Sequence, residues 1–215
     1  MELVLTTFFE LFAGAGGMSL GLIEAGFIPL GACDFSTVAV DNYRRNVSER
    51  ISVTDLSNPL SVIPELVGLK PGLVAGGPPC QDFSLAGSRL EGANANLTAA
   101  FASIVAAVGP EWVMMENVVP AEKSDAYQLA LQIFKGRGYG ISIARVDASK
   151  FGVAQRRRRS ILIARLGERD DLITDTIVEA ASHDSTTLRD LFGRRMDNDP
   201  LHPEDEELLQ NGFVY

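Results

Sequence analysis

The chain has 215 residues, 46% of them hydrophobic and 22% charged, with a formal net charge of −9 and a pI of about 4.7. That length suits one full α/β domain with little left for a second. No apolar run approaches the roughly 20 residues that cross a bilayer, and the overall charge has the wrong sign for gripping a polyanion across the whole surface.

The opening Met1-Glu2-Leu3-Val4 has neither the basic segment nor the small-residue cleavage site of a secretory signal. The two cysteines, Cys33 and Cys80, form no disulfide framework. A reducing cytoplasm is the expected home, and neither cysteine has a spacing that suggests zinc. Thr6 to Phe12 is β-branched and aromatic, which predicts a first strand. It runs into Ala13-Gly14-Ala15-Gly16-Gly17, then an amphipathic helix from about Met18 to Ala25. A strand, a glycine turn and a helix in that order make an anion or dinucleotide pocket; a plain tight turn uses the same glycines.

Ile28 to Cys33 is a second strand, ended by Asp34, about 20 residues beyond the glycines. An acid there suits a pair of ribose hydroxyls, or it caps a helix over Thr37 to Arg45. Ile51-Ser52-Val53 predicts a third strand, from whose end Asp55 could reach an adenine amine. Leu73 to Gly76 is the fourth. Two glycines and two prolines then stop the chain abruptly in Gly76-Gly77-Pro78-Pro79-Cys80-Gln81-Asp82-Phe83-Ser84. The prolines fix φ and remove two backbone donors, so Cys80 stands on a stiff support where open α/β sheets place their ligands. A buried, inert cysteine is the alternative.

Ser84 to Asn96, rich in Gly, Ser, Ala and Asn, reads as a mobile loop of the kind that closes over substrates. A helix follows from about Leu97 to Val108. A fifth strand, Trp112 to Met115, ends in Glu116-Asn117-Val118, putting a carboxylate and an amide at the same edge as Cys80; a strand-end salt bridge is the alternative reading of Glu116. Ala121 to Lys135 predicts a helix. Ile141 to Val146 and Ser160 to Arg165 predict sixth and seventh strands, antiparallel because their connection is short. That connection carries Gln155 and the run Arg156-Arg157-Arg158-Arg159, either a basic working face on an acidic body or a solvated patch. Beyond Leu166 the chain turns acidic and has too few apolar residues for a core of its own.

Four segments together, Phe12-Ala13-Gly14-Ala15-Gly16-Gly17, Gly77-Pro78-Pro79-Cys80-Gln81, Glu116-Asn117-Val118 and Gln155 to Arg159, resemble in order and interval the motifs of the DNA cytosine-C5 methyltransferases. The resemblance covers about residues 5 to 166. It implies an α/β fold of the Rossmann-like S-adenosylmethionine-dependent methyltransferase type, with a mixed seven-stranded sheet and one antiparallel strand. It implies S-adenosylmethionine as the methyl donor and a cytosine flipped out of duplex DNA as the acceptor.

By the same resemblance Cys80 is the nucleophile, and Glu116 contacts the ring nitrogen N3 and the exocyclic amine, its carboxyl kept partly protonated by burial. Asn117 braces the loop, Arg159 holds the cytosine carbonyl oxygen and Arg157 steadies the site. Gln81, Ser84 and Gln155 lie on the substrate side. Around the donor it places Phe12, Ala15, Gly16 and Gly17 against the methionine part and Asp34 on the ribose. Phe35 goes against the adenine, Asp55 on its amine, and Leu56, Pro79 and Leu97 along the cofactor.

Two departures accompany the match. Gly92 to Asn96 lacks the Asp and Arg that the family usually carries before the leucine, and the interval from Arg165 to Leu201 is too short for a recognition domain. The expected organisation is a catalytic domain over residues 1–166 and an acidic extension over 167–215, the start of a recognition region. Either a second polypeptide is expected to carry that region, as in split enzymes of the family, or the region is lost through truncation. A non-catalytic regulator and a tRNA cytosine-C5 methyltransferase are the competing expectations.

Overall fold

A computed structural model describes residues 6–79 and 95–181 of the chain. Its strands are β1 (Thr7–Leu11), β2 (Ile28–Asp34), β3 (Ile51–Val53), β4 (Leu73–Gly76), β5 (Trp112–Asn117), β6 (Tyr139–Asp147) and β7 (Arg158–Leu166). Its helices are α1 (Gly17–Glu24), α2 (Thr37–Asn46), α3 (Ile63–Leu69), α4 (Ala95–Val108), α5 (Asp125–Gly136) and α6 (Thr174–Glu179). The strands form one sheet in the order β3-β2-β1-β4-β5-β7-β6. β1 to β5 run parallel, and β7 lies antiparallel between β5 and β6. This is the mixed sheet expected from the sequence.

The central strands are buried on both faces, which is why β4 is Leu-Val-Ala-Gly throughout, buried at every position, rather than alternating. On one face α3, α4 and α5 bring Leu66, Phe101, Ile104, Val105, Tyr127 and Phe134 against Phe9, Leu11, Val74, Val113 and Leu162. On the other, α1 sets Leu22 over Phe8, Leu73 and Ala75, and α2 sets Val40 and Tyr43 over Ala32 and Ile51. Gly76 is required by the crowding at the end of β4. A Cβ there would lie 2.4 Å from the Leu11 carbonyl oxygen and 3.0 Å from the Phe101 ring.

Several boundaries differ from expectation for identifiable reasons. The helix foreseen from Ala121 starts at Asp125, because Ser124 caps it by accepting from the Tyr127 N–H while Val119–Lys123 forms a 3-10 turn. The helix α4 begins at Ala95, inside the stretch expected to be loop. The seven-residue α3 and the six-residue α6 were not foreseen; each is too short to impose a helical period on the sequence.

After Leu166 the chain turns back onto the edge strand β6. The carbonyl oxygens of Glu168 and Arg169 lie against Gly140. The Asp170 carboxylate accepts the Ile141 N–H, and the Asp171 N–H donates to the Ile141 carbonyl. The loop expected over Ser84 to Asn96, as far as residue 94, and the segments Thr187 to Asp190 and Leu201 to Phe213 lie outside the described residues.

Replacing Gly76 by Ala is expected to destabilise the fold by about 3 kcal/mol, since Leu11 is backbone and cannot give way. Urea unfolding of the variant against the wild type measures it.

Candidate functional site

The order of the sheet reverses between β1 and β4, and at such a switch point the loops on either side part to leave a crevice at the strand ends. A cleft of about 680 Å³ occupies it, lined by Phe12, Asp34, Phe35, Thr54, Asp55, Leu56, Ser57, Gly77, Pro79 and Leu97. Each wall follows from a strand end: Phe12 from β1, Asp34 from β2, Thr54 and Asp55 from β3, Gly77 and Pro79 from β4. Seven of the ten residues expected along the donor therefore share one cavity. The other three, Ala15, Gly16 and Gly17, form the neighbouring turn and do not line it.

Asp34 joins the turn to the pocket. One carboxylate oxygen accepts the Gly14 N–H at 2.8 Å and the other accepts the Ser36 N–H at 2.8 Å. The capping role considered for Asp34 belongs instead to Ser36, whose hydroxyl accepts from the Ala39 N–H at the start of α2. Phe12 adopts a left-handed φ of 55°, unusual for a residue with a bulky side chain, at the point where the strand enters the turn. The Ser57 hydroxyl and the Ser57 N–H both bond the Asp55 carboxylate and hold it below the usual carboxylate range. Phe35, 74% exposed, stands at the pocket mouth.

The second half of the site lies at the same edge, one strand along. Because β7 runs antiparallel, its beginning arrives where β5 ends: Asn117 pairs with Ser160, and Arg159 lies one residue beyond. The Arg159 guanidinium meets the Glu116 carboxylate at 2.7 Å, both side chains about three-quarters shielded. Glu116 also lies against Gly77, where an added Cβ would come within 3.4 Å of its carboxylate oxygen. Asn117 is 4% exposed, and its amide donates to the Pro78 carbonyl at 3.1 Å. Thus Glu116, Asn117 and Arg159 converge on the Gly77-Pro78-Pro79 support. Cys80, which follows Pro79 in sequence, lies outside the described residues, as do Gln81 and Ser84.

Arg157 and Gln155 are exposed and stand apart from this ion pair, on the turn between β6 and β7. Asp147 organises that turn, accepting the Ser149 and Arg157 N–H groups and the Ser149 hydroxyl, and these bonds hold its carboxyl below the usual range. Lys150, Arg156 and Arg158 surround Asp147 and border a shallow basic cleft beside the site. Cys33, by contrast, is fully buried, and burial drives its thiol far above its ordinary value, so it is a core residue.

One group went unnoticed in the sequence. Glu10, in the middle of β1, is 2% exposed, and its carboxyl accepts the Ser19 hydroxyl, which also bonds the Tyr43 hydroxyl at 2.8 Å. Burial pushes the carboxyl up to about 7. The available signal was one charged residue inside the otherwise apolar run Thr7-Phe8-Phe9-Glu10-Leu11.

The chain shares its fold with solved methyltransferase structures. It superposes on the crystal structure of the S. pombe Dnmt2 methyltransferase with a TM-score of 0.72, over 96% of this chain and 65% of that one, at 19% identity. The chain belongs to the family of C-5 cytosine-specific DNA methylases, whose model matches residues 6–215. It is 42% identical over 194 residues to the type II methyltransferase M.HgiDI of Herpetosiphon aurantiacus, covering 88% of this chain and 62% of that protein. It is 38% identical over 188 residues to the type II methyltransferase M.HindV of Haemophilus influenzae, covering 87% of this chain and again 62% of the relative. The chain thus spans less than two-thirds of the length of these curated relatives.

A pH dependence of stability follows from Glu10. Its carboxyl titrates higher in the fold than in the unfolded chain, so the neutral form stabilises, and that contribution is lost as pH rises from about 4.5 through about 7. Over that window the wild type should lose about 3 kcal/mol relative to Glu10→Gln. Denaturant unfolding of both proteins at pH 5 and pH 8 measures the difference.

Proposed function

We propose that this chain is the catalytic half of a DNA cytosine-C5 methyltransferase, moving a methyl group from S-adenosylmethionine to C5 of a cytosine flipped out of the duplex. The observation that carries the reading is the Glu116–Arg159 ion pair, set beside the Gly77-Pro78-Pro79 support and adjoining the switch-point pocket. Family membership adds to it.

The pocket fits the donor. It offers two aromatic rings and apolar Leu56 and Leu97 for a flat base, and carboxylates at the ends of β2 and β3 for a diol and an amine. Among the described residues that line it there is no Lys or Arg. Asp34 would hold the ribose, Asp55 the adenine amine, and Phe12 and Phe35 the adenosyl part. Bound there, S-adenosylmethionine supplies an electrophilic methyl group.

The chain's own residues prepare the acceptor. The C5 carbon of cytosine is a poor nucleophile until a thiolate adds to C6. The Cys80 sulfur forms that bond, and the displaced π electrons move into the ring. In its protonated form Glu116 donates a proton at N3, so that charge does not build up on the base, and takes it back as the thiolate leaves. Arg159 holds both the Glu116 carboxylate and the cytosine carbonyl oxygen, while Asn117 fixes the backbone from which Cys80 emerges. C5 then carries the methyl group; a base removes the C5 proton, the C5–C6 double bond re-forms and the thiolate leaves. Arg157, with Lys150, Arg156 and Arg158, faces the phosphate backbone. Residues 1–166 carry this machinery, and 167–215 lead toward a recognition region that a second polypeptide supplies.

The test is trapping on a duplex containing 5-fluorocytosine, with the donor and with the recognition part of a family relative added. Wild type should give a denaturation-resistant adduct and Cys80→Ala none; Glu116→Gln should slow adduct formation by at least about 100-fold. Absence of any adduct with duplex DNA, or an adduct formed only on tRNA, overturns the reading.

A further inference from the structure

The Glu10, Ser19 and Tyr43 cluster is not used by the reaction above, yet it lies directly beneath the glycine turn. Glu10 has small neighbours on both adjoining strands, Ala32 on β2 and Ala75 on β4, which leave room for its side chain inside the layer under α1 and α2. Its carboxyl accepts the Ser19 hydroxyl, and the Ser19 backbone N–H bonds it as well. Ser19 sits in the first turn of α1, whose own N-cap, Gly16, has no side chain to satisfy the free N–H groups and whose first turn holds no acid. A strand residue thus supplies the cap that the helix lacks.

Tyr43 closes the arrangement from α2. Its hydroxyl bonds Ser19, and its ring packs so tightly under Gly16 that a Cβ there would come within 2.8 Å of it. The two hydroxyls can reverse their sense. An ionised Glu10 accepts from Ser19, which accepts from Tyr43; a neutral Glu10 donates to Ser19, which donates to Tyr43. Either state leaves the buried chain of hydrogen bonds satisfied.

A helix N-terminus beside a ligand pocket ordinarily favours anions, through its partial positive charge. Here a carboxylate lies in that position, and the pocket alongside carries Asp34 and Asp55. Resting on the reading of that pocket as the donor site, we propose that Glu10 is a positioning residue that sets the electrostatic preference of the pocket. Acting through Ser19 and the first turn of α1 rather than by contact, it makes the pocket favour a ligand with a cationic centre over its neutral counterpart. For this chemistry the pair is the sulfonium donor and the thioether product, which differ by one methyl group and one charge.

The remaining titratable groups facing Glu10 are Asp34 and Cys33 from β2 and Tyr43 from α2. Asp34 adds a like charge, and burial is the larger influence; together they bring the carboxyl up to about 7. Glu10 is therefore mostly neutral at pH 6 and mostly ionised at pH 8, and the preference for the sulfonium grows across that range.

Calorimetric titration of the 215-residue chain with S-adenosylmethionine and S-adenosylhomocysteine, at intervals from pH 6 to pH 8, reads this directly. Ionisation of the ligands is common to all variants and cancels between them. Relative to Glu10→Gln, the wild-type ratio of donor to product affinity should rise about fivefold from pH 6 to pH 8. Gln keeps an acceptor for the Ser19 hydroxyl, so the variant should fold. Tyr43→Phe, which removes one donor to the chain of hydrogen bonds, should move the midpoint to higher pH. A ratio with the same pH profile in wild type and Glu10→Gln overturns the proposal while leaving the donor site intact. Failure of the wild type to bind either ligand at any pH removes the donor-site reading and this inference with it.

Discussion

The arrangement depends on one reversal of strand direction. Parallel strands all end at the same edge, so a purely parallel sheet brings together the residues that follow its strands and nothing else. Insertion of β7 in the opposite sense brings the beginning of a strand to that edge too. Arg159 reaches Glu116 for this reason alone, although 43 positions separate them in the chain. The ion pair is partly shielded from water, where a charged contact of good geometry is worth more than on an open surface, and it holds the guanidinium in one orientation.

The same edge carries two chemistries that are kept apart. On the β1–β2–β3 side the walls are acidic and aromatic. On the β5–β7 side a guanidinium is held by a carboxylate and a basic turn stands exposed. The net charge of −9 describes neither. What matters is that the arginines are gathered on one turn, which Asp147 ties together through backbone and side-chain hydrogen bonds.

Most of the framework could be read from the sequence because its signals are local. Leu73-Val74-Ala75 followed by Gly76-Gly77-Pro78-Pro79 announces a buried strand and its end, and every predicted strand is present. The pocket was legible for the same reason: Asp34 and Asp55 end strands, and strand ends in a parallel sheet converge. Three things were not legible. The short α3 and α6 form because the sheet offers a surface for them, not because their residues insist on it. Ser36, rather than Asp34, caps α2, a choice decided when Asp34 is drawn to the Gly14 N–H twenty residues away. Glu10 drew no notice as one charge in an apolar run; its partners Ser19 and Tyr43 come from two helices that only the fold brings over it.

The return of the chain over β6 has a consequence for how the molecule behaves in company. As the last strand of the sheet, β6 would present a ladder of unsatisfied amide groups to any passing polypeptide, an open template for polymerisation. The Asp170 carboxylate and the Asp171 amide take up both backbone groups of Ile141, and two carbonyls lie flush against Gly140. An extended peptide approaching that rim at Gly140 and Ile141 meets a plugged seam instead of a vacant one.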